Sequence, residues 1–233
     1  MDLKSDYNQK VKIALIGATG AVGKEVVRLA KFDDRIEELS LIVRKPLAEW
    51  VAEDFSCKLV IHQLPDFNDL SSIEQKLQGY DIFLCTLGTL RKYGLDNFIK
   101  VDHDYPLNFA KLAKKLNVKQ YGIVTAQGAD QNSCLLYSKT KGLTELHIRE
   151  QGLEYLTILR PGLLVNRDND ARCAEKFYAC LPCIPRIRAS EVGQVLLSHS
   201  INKILNTNLG SQSQAVEILS HGMIKKSIYL KKK

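Results

Sequence analysis

The sequence predicts an α/β domain built on a doubly wound parallel sheet, with a small C-terminal region that closes a substrate pocket. Three observations predict it. From Val11 to Leu159, short apolar runs of strand length alternate with amphipathic helical patterns. The runs are almost uniformly apolar, as in parallel strands buried on both faces. The first run, Val11 to Ile16, leads straight into three glycines, Gly17, Gly20 and Gly23, and then into a helix.

The opening strand is interrupted only by Lys12. In the helix that follows, Val22, Val26, Leu29 and Ala30 share one face, with Lys24, Glu25 and Arg28 away from it. A strand, a glycine turn and a helix N-terminus together form a seat for a phosphate. Gly17 supplies the backbone freedom of the turn, Gly20 leaves room for a pyrophosphate, and Gly23 lets the helix pack close. The second strand, Leu39 to Val43, ends in Arg44-Lys45-Pro46. An NAD site places a carboxylate about twenty positions past the glycines, to meet the ribose hydroxyls. Two cations stand there instead, and Arg44 can pair with a 2′-phosphate through two parallel hydrogen bonds. The cofactor predicted is therefore NADPH.

A third strand is predicted at Lys58 to His62, followed by Leu64-Pro65-Asp66-Phe67 and a polar helix from Asp69 to Leu77. Asp66 reads either as an acceptor for the adenine amino group or as a turn carboxylate. After the turn Gly79-Tyr80-Asp81, the fourth strand, Ile82 to Thr86, ends in Leu87-Gly88-Thr89. Gly88 there allows close approach of the second half of a dinucleotide. Helix is predicted around Phe98 to Leu116, starting near Tyr105 or kinking there because of Pro106. A fifth strand, Gln120 to Thr125, a helix, Leu135 to Glu150, and a sixth strand, Glu154 to Leu159, complete the alternation. Arg160-Pro161-Gly162 closes it. Beyond Leu163 the pattern loosens. A helix at Arg172 to Leu181, another capped by Ser190 and running to Ile204, and a short strand at Ala215 to Leu219 are expected.

The length of 233 residues suits one such domain. The organisation predicted is a polar segment 1–10, a single domain 11–230 of which 162–230 closes the pocket, and a basic tail 231–233. Apolar residues make up 45% and charged residues 25%, as in a soluble globular protein. No apolar leader and no membrane-length run is present, so a cytoplasmic protein is expected. The six cysteines then read as free thiols. Cys180 and Cys183 have C-x-x-C spacing but lack a redox-type strand–helix context or a second ligand pair, so no metal site is expected. The net charge of +7 invites a nucleic-acid reading. The lysines are spread along helical repeats without interleaved aromatics, so no nucleic-acid partner is expected.

Tyr137 and Lys141 stand four apart on the helix after strand five, on one face. A tyrosine with an ordinary pKa of about 10 is a poor acid–base catalyst at neutral pH. A neighbouring ammonium and a nicotinamide cation both favour its phenolate. Tyr137 can then give a proton to a carbonyl oxygen as hydride reaches the carbon, and take it back in the reverse direction.

The glycine turn, the Tyr137/Lys141 pair and Arg160-Pro161-Gly162 together resemble the short-chain dehydrogenase/reductase superfamily in its atypical branch. The runs Cys85 to Thr89, Val101 to Tyr105, Gln127 to Asp130 and Leu136 to Gly142 narrow the resemblance to the Tat-interacting-protein-type oxidoreductases. The resemblance spans Val11 to about Ile224. It implies a Rossmann fold with NADPH held by Gly17, Thr19, Gly20, Ala21, Val22, Gly23, Arg44, Lys45, Asp66, Phe67, Leu87, Gly88, Thr89, Tyr137, Lys141 and Pro161. It makes Tyr137 and Lys141 the catalytic pair. Two departures stand out. Where the superfamily has a serine at the end of strand five, this chain reads Val124-Thr125-Ala126, so Thr125 is the candidate third catalytic hydroxyl. Where classical members carry an asparagine in the fourth helix, Asp102 stands; it reads as a surface or turn residue, with a water-relay role for Asp102 or His103 as the alternative. The activity expected is oxidoreduction of a small carbonyl or alcohol by a monomer or homodimer. The alternative is an NADPH-binding sensor or regulatory protein with a protein partner and little turnover.

Overall fold

The computed structural model describes residues 9–165, 185–206 and 215–229. In chain order these form β1 (Val11–Ile16), α1 (Ala21–Ala30), β2 (Ile36–Val43), β3 (Lys58–Gln63), α2 (Ser71–Glu74), β4 (Ile82–Cys85) and α3 (Leu95–Ile99). There follow a π-helical turn (Lys100–Asp104), α4 (Tyr105–Lys115), β5 (Gln120–Val124), α5 (Leu136–Arg149), β6 (Tyr155–Arg160) and β7 (Leu163–Val165). The last elements are β8 (Arg186–Arg188), α6 (Ala189–Leu205), β9 (Ala215–Ser220) and α7 (His221–Tyr229). The seven-stranded sheet runs β3-β2-β1-β4-β5-β6-β9. Each pairing in it is parallel. The small sheet β7-β8 lies beside it.

Because side chains alternate along a strand, β1 feeds two cores. Ile13 and Leu15 pack with α1 and α6, including Val22, Val26, Val192 and Leu196. Ala14 and Ile16 face the other way, toward the layer holding Phe83, Phe109, Ala113 and Ile148. Both layers are sealed, and Phe83 stacks on Phe109 with centroids 4.5 Å apart. This is the doubly wound architecture that the uniformly apolar strands predicted. The strand order reverses between β1 and β4, so a crevice opens beyond their carboxyl ends. Register brings the relevant loops to that edge. Ile16 pairs with Ile42 of β2 and with Cys85 of β4, and Cys85 pairs with Ile123 of β5.

Three expectations need correction. The polar helix at Asp69–Leu77 is only α2 plus a 3-10 turn, Gln75–Leu77; the Asp69 carboxylate accepts the Ser71 amide at 2.8 Å and delays its start. Ser190 does not cap α6. The helix begins at Ala189, and Glu191 reaches back to accept the Arg188 amide at 2.8 Å. The strand at Ala215 is longer than predicted and joins the main sheet at its edge, paired in register with β6 from Tyr155↔Ala215 to Arg160↔Ser220. The expected helix at Arg172–Leu181, the Cys180/Cys183 pair and the basic tail lie outside the described residues. Cys57, Cys85 and Cys134 are free thiols. Among the described residues no helix is long and apolar enough to cross a membrane.

Candidate active site

The glycine turn is built by close approach. Gly17 has φ +88°, and a Cβ there would lie 2.7 Å from the Thr86 carbonyl carbon. A Cβ on Gly23 would strike the Gly17 carbonyl oxygen. Thr86 Oγ1 donates toward the carbonyls of Ile16 (3.2 Å) and Gly17 (3.1 Å), which ties the turn to the end of β4. Gly20 is the N-cap of α1, exposed like Thr19, with Ala21 half-buried and Val22 and Gly23 packed beneath. The helix has no side-chain cap and no acidic residue in its first turn. Its leading amides and the positive end of its dipole therefore face the crevice without a competing carboxylate. A diphosphate fits this seat.

Arg44 and Lys45 leave β2 at the same edge. Both are exposed, with no ion pair among the described residues; the Arg44 carbonyl accepts Gln63 Nε2 at 3.2 Å. Asp66 forms a turn, its carboxylate accepting the amide and side-chain nitrogen of Asn68 at 2.8 and 2.7 Å. The Phe67 ring belongs to the core, edge-on to Tyr105 at 5.2 Å. Leu87 packs partly into that core as well. Pro161 is buried, and its carbonyl accepts the Gln127 amide at 2.8 Å.

α5 carries Tyr137 and Lys141. Tyr137 is 46% exposed and its ring stacks on Phe98 of α3, with centroids 6.0 Å apart. Tyr93, Leu95, Ile99, Leu135 and Tyr137 are half of the ten large apolar side chains exposed among the described residues. They belong to the two segments that meet in this stack, so the approach to Tyr137 is apolar. Lys141 is 5% exposed, and its Nζ sits 2.8 Å from Oδ1 of Asp102, itself 1% exposed. Burial alone would pull the Lys141 pKa down. The Asp102 charge, then Tyr137 and Cys85, more than offset it and hold the ammonium above the usual lysine range.

Asp102 is thus a buried ion-pair partner, which corrects its reading as a surface or turn residue. The signal for it lay four residues on. Pro106 has no N–H, so the Asp102 carbonyl lacks its helical donor. The chain widens there into the π turn, with the Tyr105 amide on the Lys100 carbonyl, and Thr144 Oγ1 approaches the freed Asp102 carbonyl at 2.9 Å. Of the two readings for Pro106, α4 starts at Tyr105 with the proline in its first turn, following directly on the π turn Lys100–Asp104. The second carboxylate oxygen of Asp102 accepts the Thr89 amide at 2.8 Å.

Thr125 is not turned toward this crevice. Its hydroxyl is buried and donates to Glu145 Oε1 at 2.7 Å, with the Leu159 carbonyl at 3.3 Å. Glu145 also receives Arg160 through Nε at 2.9 Å and through a shorter contact from its terminal nitrogen. This network locks β5, β6 and α5 together and takes up the only hydroxyl that Val124-Thr125-Ala126 offers.

A family model described as NAD(P)H-binding matches residues 17–179. The chain belongs to this family. Among its relatives, rat HTATIP2 is 32% identical over 188 residues, 78% of this chain and 76% of that protein. Emericella nidulans fmp52, which is named as mitochondrial, is 30% identical over 177 residues, 72% and 74% of the two chains. The Bordetella bronchiseptica enzyme WbmG, solved in complex with NAD, matches with TM-score 0.64 at 13% identity, over 96% of this chain and 78% of that one. At that identity the likeness shows the fold, a Rossmann-type sheet. As a member of the HTATIP2 and FMP52 group, the chain is an NAD(P)-binding, oxidoreductase-like protein with a small-molecule ligand.

Proposed function

We propose that this chain is an NADPH-dependent oxidoreductase of the atypical short-chain type, which interconverts the carbonyl and alcohol forms of a small organic molecule. The observation that carries the reading is the Tyr137/Lys141 pair at the carboxyl edge of the sheet. Lys141 Nζ lies near Gly88, whose loop begins against the Gly17 turn ahead of the uncapped α1, and across the switch point Arg44 and Lys45 form no ion pair among the described residues. NADPH, when bound, supplies the hydride. The α1 amides and the glycine turn hold its diphosphate, and Arg44 with Lys45 holds the 2′-phosphate. The main chain of Leu87 to Thr89 supports the nicotinamide half. The Lys141 ammonium serves the adjoining ribose and keeps positive charge beside Tyr137. In reduction Tyr137 gives its hydroxyl proton to the carbonyl oxygen while the carbon receives hydride; oxidation reverses both transfers. Tyr137 works without a serine partner, because Thr125 is held by Glu145.

The reading places the protein in the cytoplasm, a reducing setting that suits free Cys57, Cys85 and Cys134. Recovery in a mitochondrial fraction would overturn that part. The test of function is NADPH consumption over a panel of small carbonyls, with Tyr137→Phe as the control. Turnover that falls by two orders of magnitude or more in the variant, with nucleotide affinity unchanged, supports the mechanism. Tight NADPH binding without turnover on any carbonyl would make the chain a nucleotide sensor instead.

A further inference from the structure

We propose that Asp102 is the positioning residue of this site, its two carboxylate oxygens tying the Lys141 ammonium to the segment Gly88–Thr89. The inference rests on the oxidoreductase reading, in which that lysine and that segment serve the same half of the cofactor. Oδ1 lies 2.8 Å from Lys141 Nζ, and Oδ2 accepts the Thr89 amide at 2.8 Å. Gly88 runs directly over the pair: a Cβ there would come 3.7 Å from Oδ1 and 4.0 Å from Nζ. The carboxylate is held from behind as well. Its own backbone carbonyl, freed by Pro106, faces Thr144 Oγ1 of α5. One buried side chain therefore joins β4's exit loop, the π turn and the helix that carries Tyr137. A cofactor that moves the loop moves the lysine with it.

Charge gives the carboxylate a second effect. A lysine taken out of water alone sheds its proton. The groups that face Lys141 are Asp102 from the π turn, Tyr137 from its own helix and Cys85 from β4. Asp102 is the only carboxylate among them. An asparagine at 102 keeps the shape and an acceptor for the Thr89 amide, yet leaves the burial of Lys141 unopposed. The lysine would then lose its proton as the solution turns alkaline, and with it the cation beside Tyr137 and the nicotinamide ribose.

Lysine labelled with 13C at Cε reads that proton directly in the nucleotide-free protein, with the Lys141 signal assigned through Lys141→Arg. In the unaltered chain the signal should remain that of an ammonium up to about pH 10.5. In Asp102→Asn it should titrate roughly one unit or more below an exposed lysine. NADPH affinity of Asp102→Asn should match the unaltered chain within about threefold at pH 6 and fall about tenfold at pH 9, where Asp102→Glu should recover most of the loss. Lys141 titrating like an exposed lysine in the unaltered chain overturns the proposal, and needs no variant to fold. Superimposable titration and binding curves for Asp102→Asn and the unaltered chain overturn it too. A carbonyl panel without turnover, alongside the expected titrations, sinks the oxidoreductase reading alone and leaves Asp102 as the organiser of a nucleotide site.

Discussion

Arg44→Ala tests the proposed contact with the 2′-phosphate of NADPH. Arg44 is exposed, with no ion pair among the described residues, and only its backbone carbonyl is engaged, by Gln63 Nε2 at 3.2 Å. Removing the side chain therefore leaves the fold untouched, with the melting temperature moving by no more than about 2 °C, as for a surface substitution that breaks no contact. A hydrogen bond to a charged group contributes about 1.5–3 kcal/mol. The site is open to water, which screens it, so the lower half of that range applies. NADPH affinity should fall about tenfold to fortyfold, at about 1.4 kcal/mol per factor of ten. NADH lacks the 2′-phosphate, and its affinity should change less than about twofold. Fluorescence titration of both nucleotides, at low and at physiological salt, measures the difference. The NADPH loss should shrink at the higher salt, since an exposed pair is screened. Equal losses for the two nucleotides would place Arg44 on the diphosphate or the adenine. No loss for either would take the 2′-phosphate away from β2 altogether.

Three further outcomes follow from buried polar groups. Glu145→Gln removes the charge that receives Arg160, Thr125 and, at 3.6 Å, Arg149; unfolding in urea should show a loss of about 1–3 kcal/mol, less than for a fully buried pair because both arginines reach water. Thr144→Val leaves the Asp102 carbonyl without its hydroxyl partner and should cost about 1–3 kcal/mol by the same measurement. A cost near zero would mean that the single Thr144 proton goes to the Thr140 carbonyl, 2.8 Å away, and not to Asp102. His62 has its pKa lowered by burial, with Lys76 adding to the effect. Its stability contribution is complete above its unfolded value of 6.5 and is lost as pH falls through the lower folded value, because the unfolded chain takes up the proton first. The urea midpoint should therefore drop between pH 7.5 and 5.5, and His62→Gln should flatten that slope.

Much of this protein is local, and the local part was legible. The strand at Val11–Ile16, the glycine turn and α1 follow from neighbours in sequence: apolar runs bury, and a glycine at position 17 takes a φ of +88° without a Cβ clash. That Arg44 and Lys45 follow directly on β2, and that Tyr137 and Lys141 share one helix, also needed only neighbours in sequence. Contacts between distant elements decided the remainder. Thr125 sits at the end of β5, as expected. Whether its hydroxyl faces the crevice depended on Glu145 and Arg160, brought beside it by α5 and β6. Asp102 reads as a surface residue in a charged run, Val101-Asp102-His103-Asp104. It becomes buried because Pro106 withholds one backbone donor and the chain widens into a π turn, which sets the carboxylate against Lys141 and Thr89. The sequence by itself thus determined the strands, the glycine turn and the helix that carries Tyr137 and Lys141, since each depends on residues within a few positions of one another. Only the tertiary structure decided which polar groups meet, because a buried charge takes whichever opposite charge or free amide the packing of other elements delivers within hydrogen-bond reach.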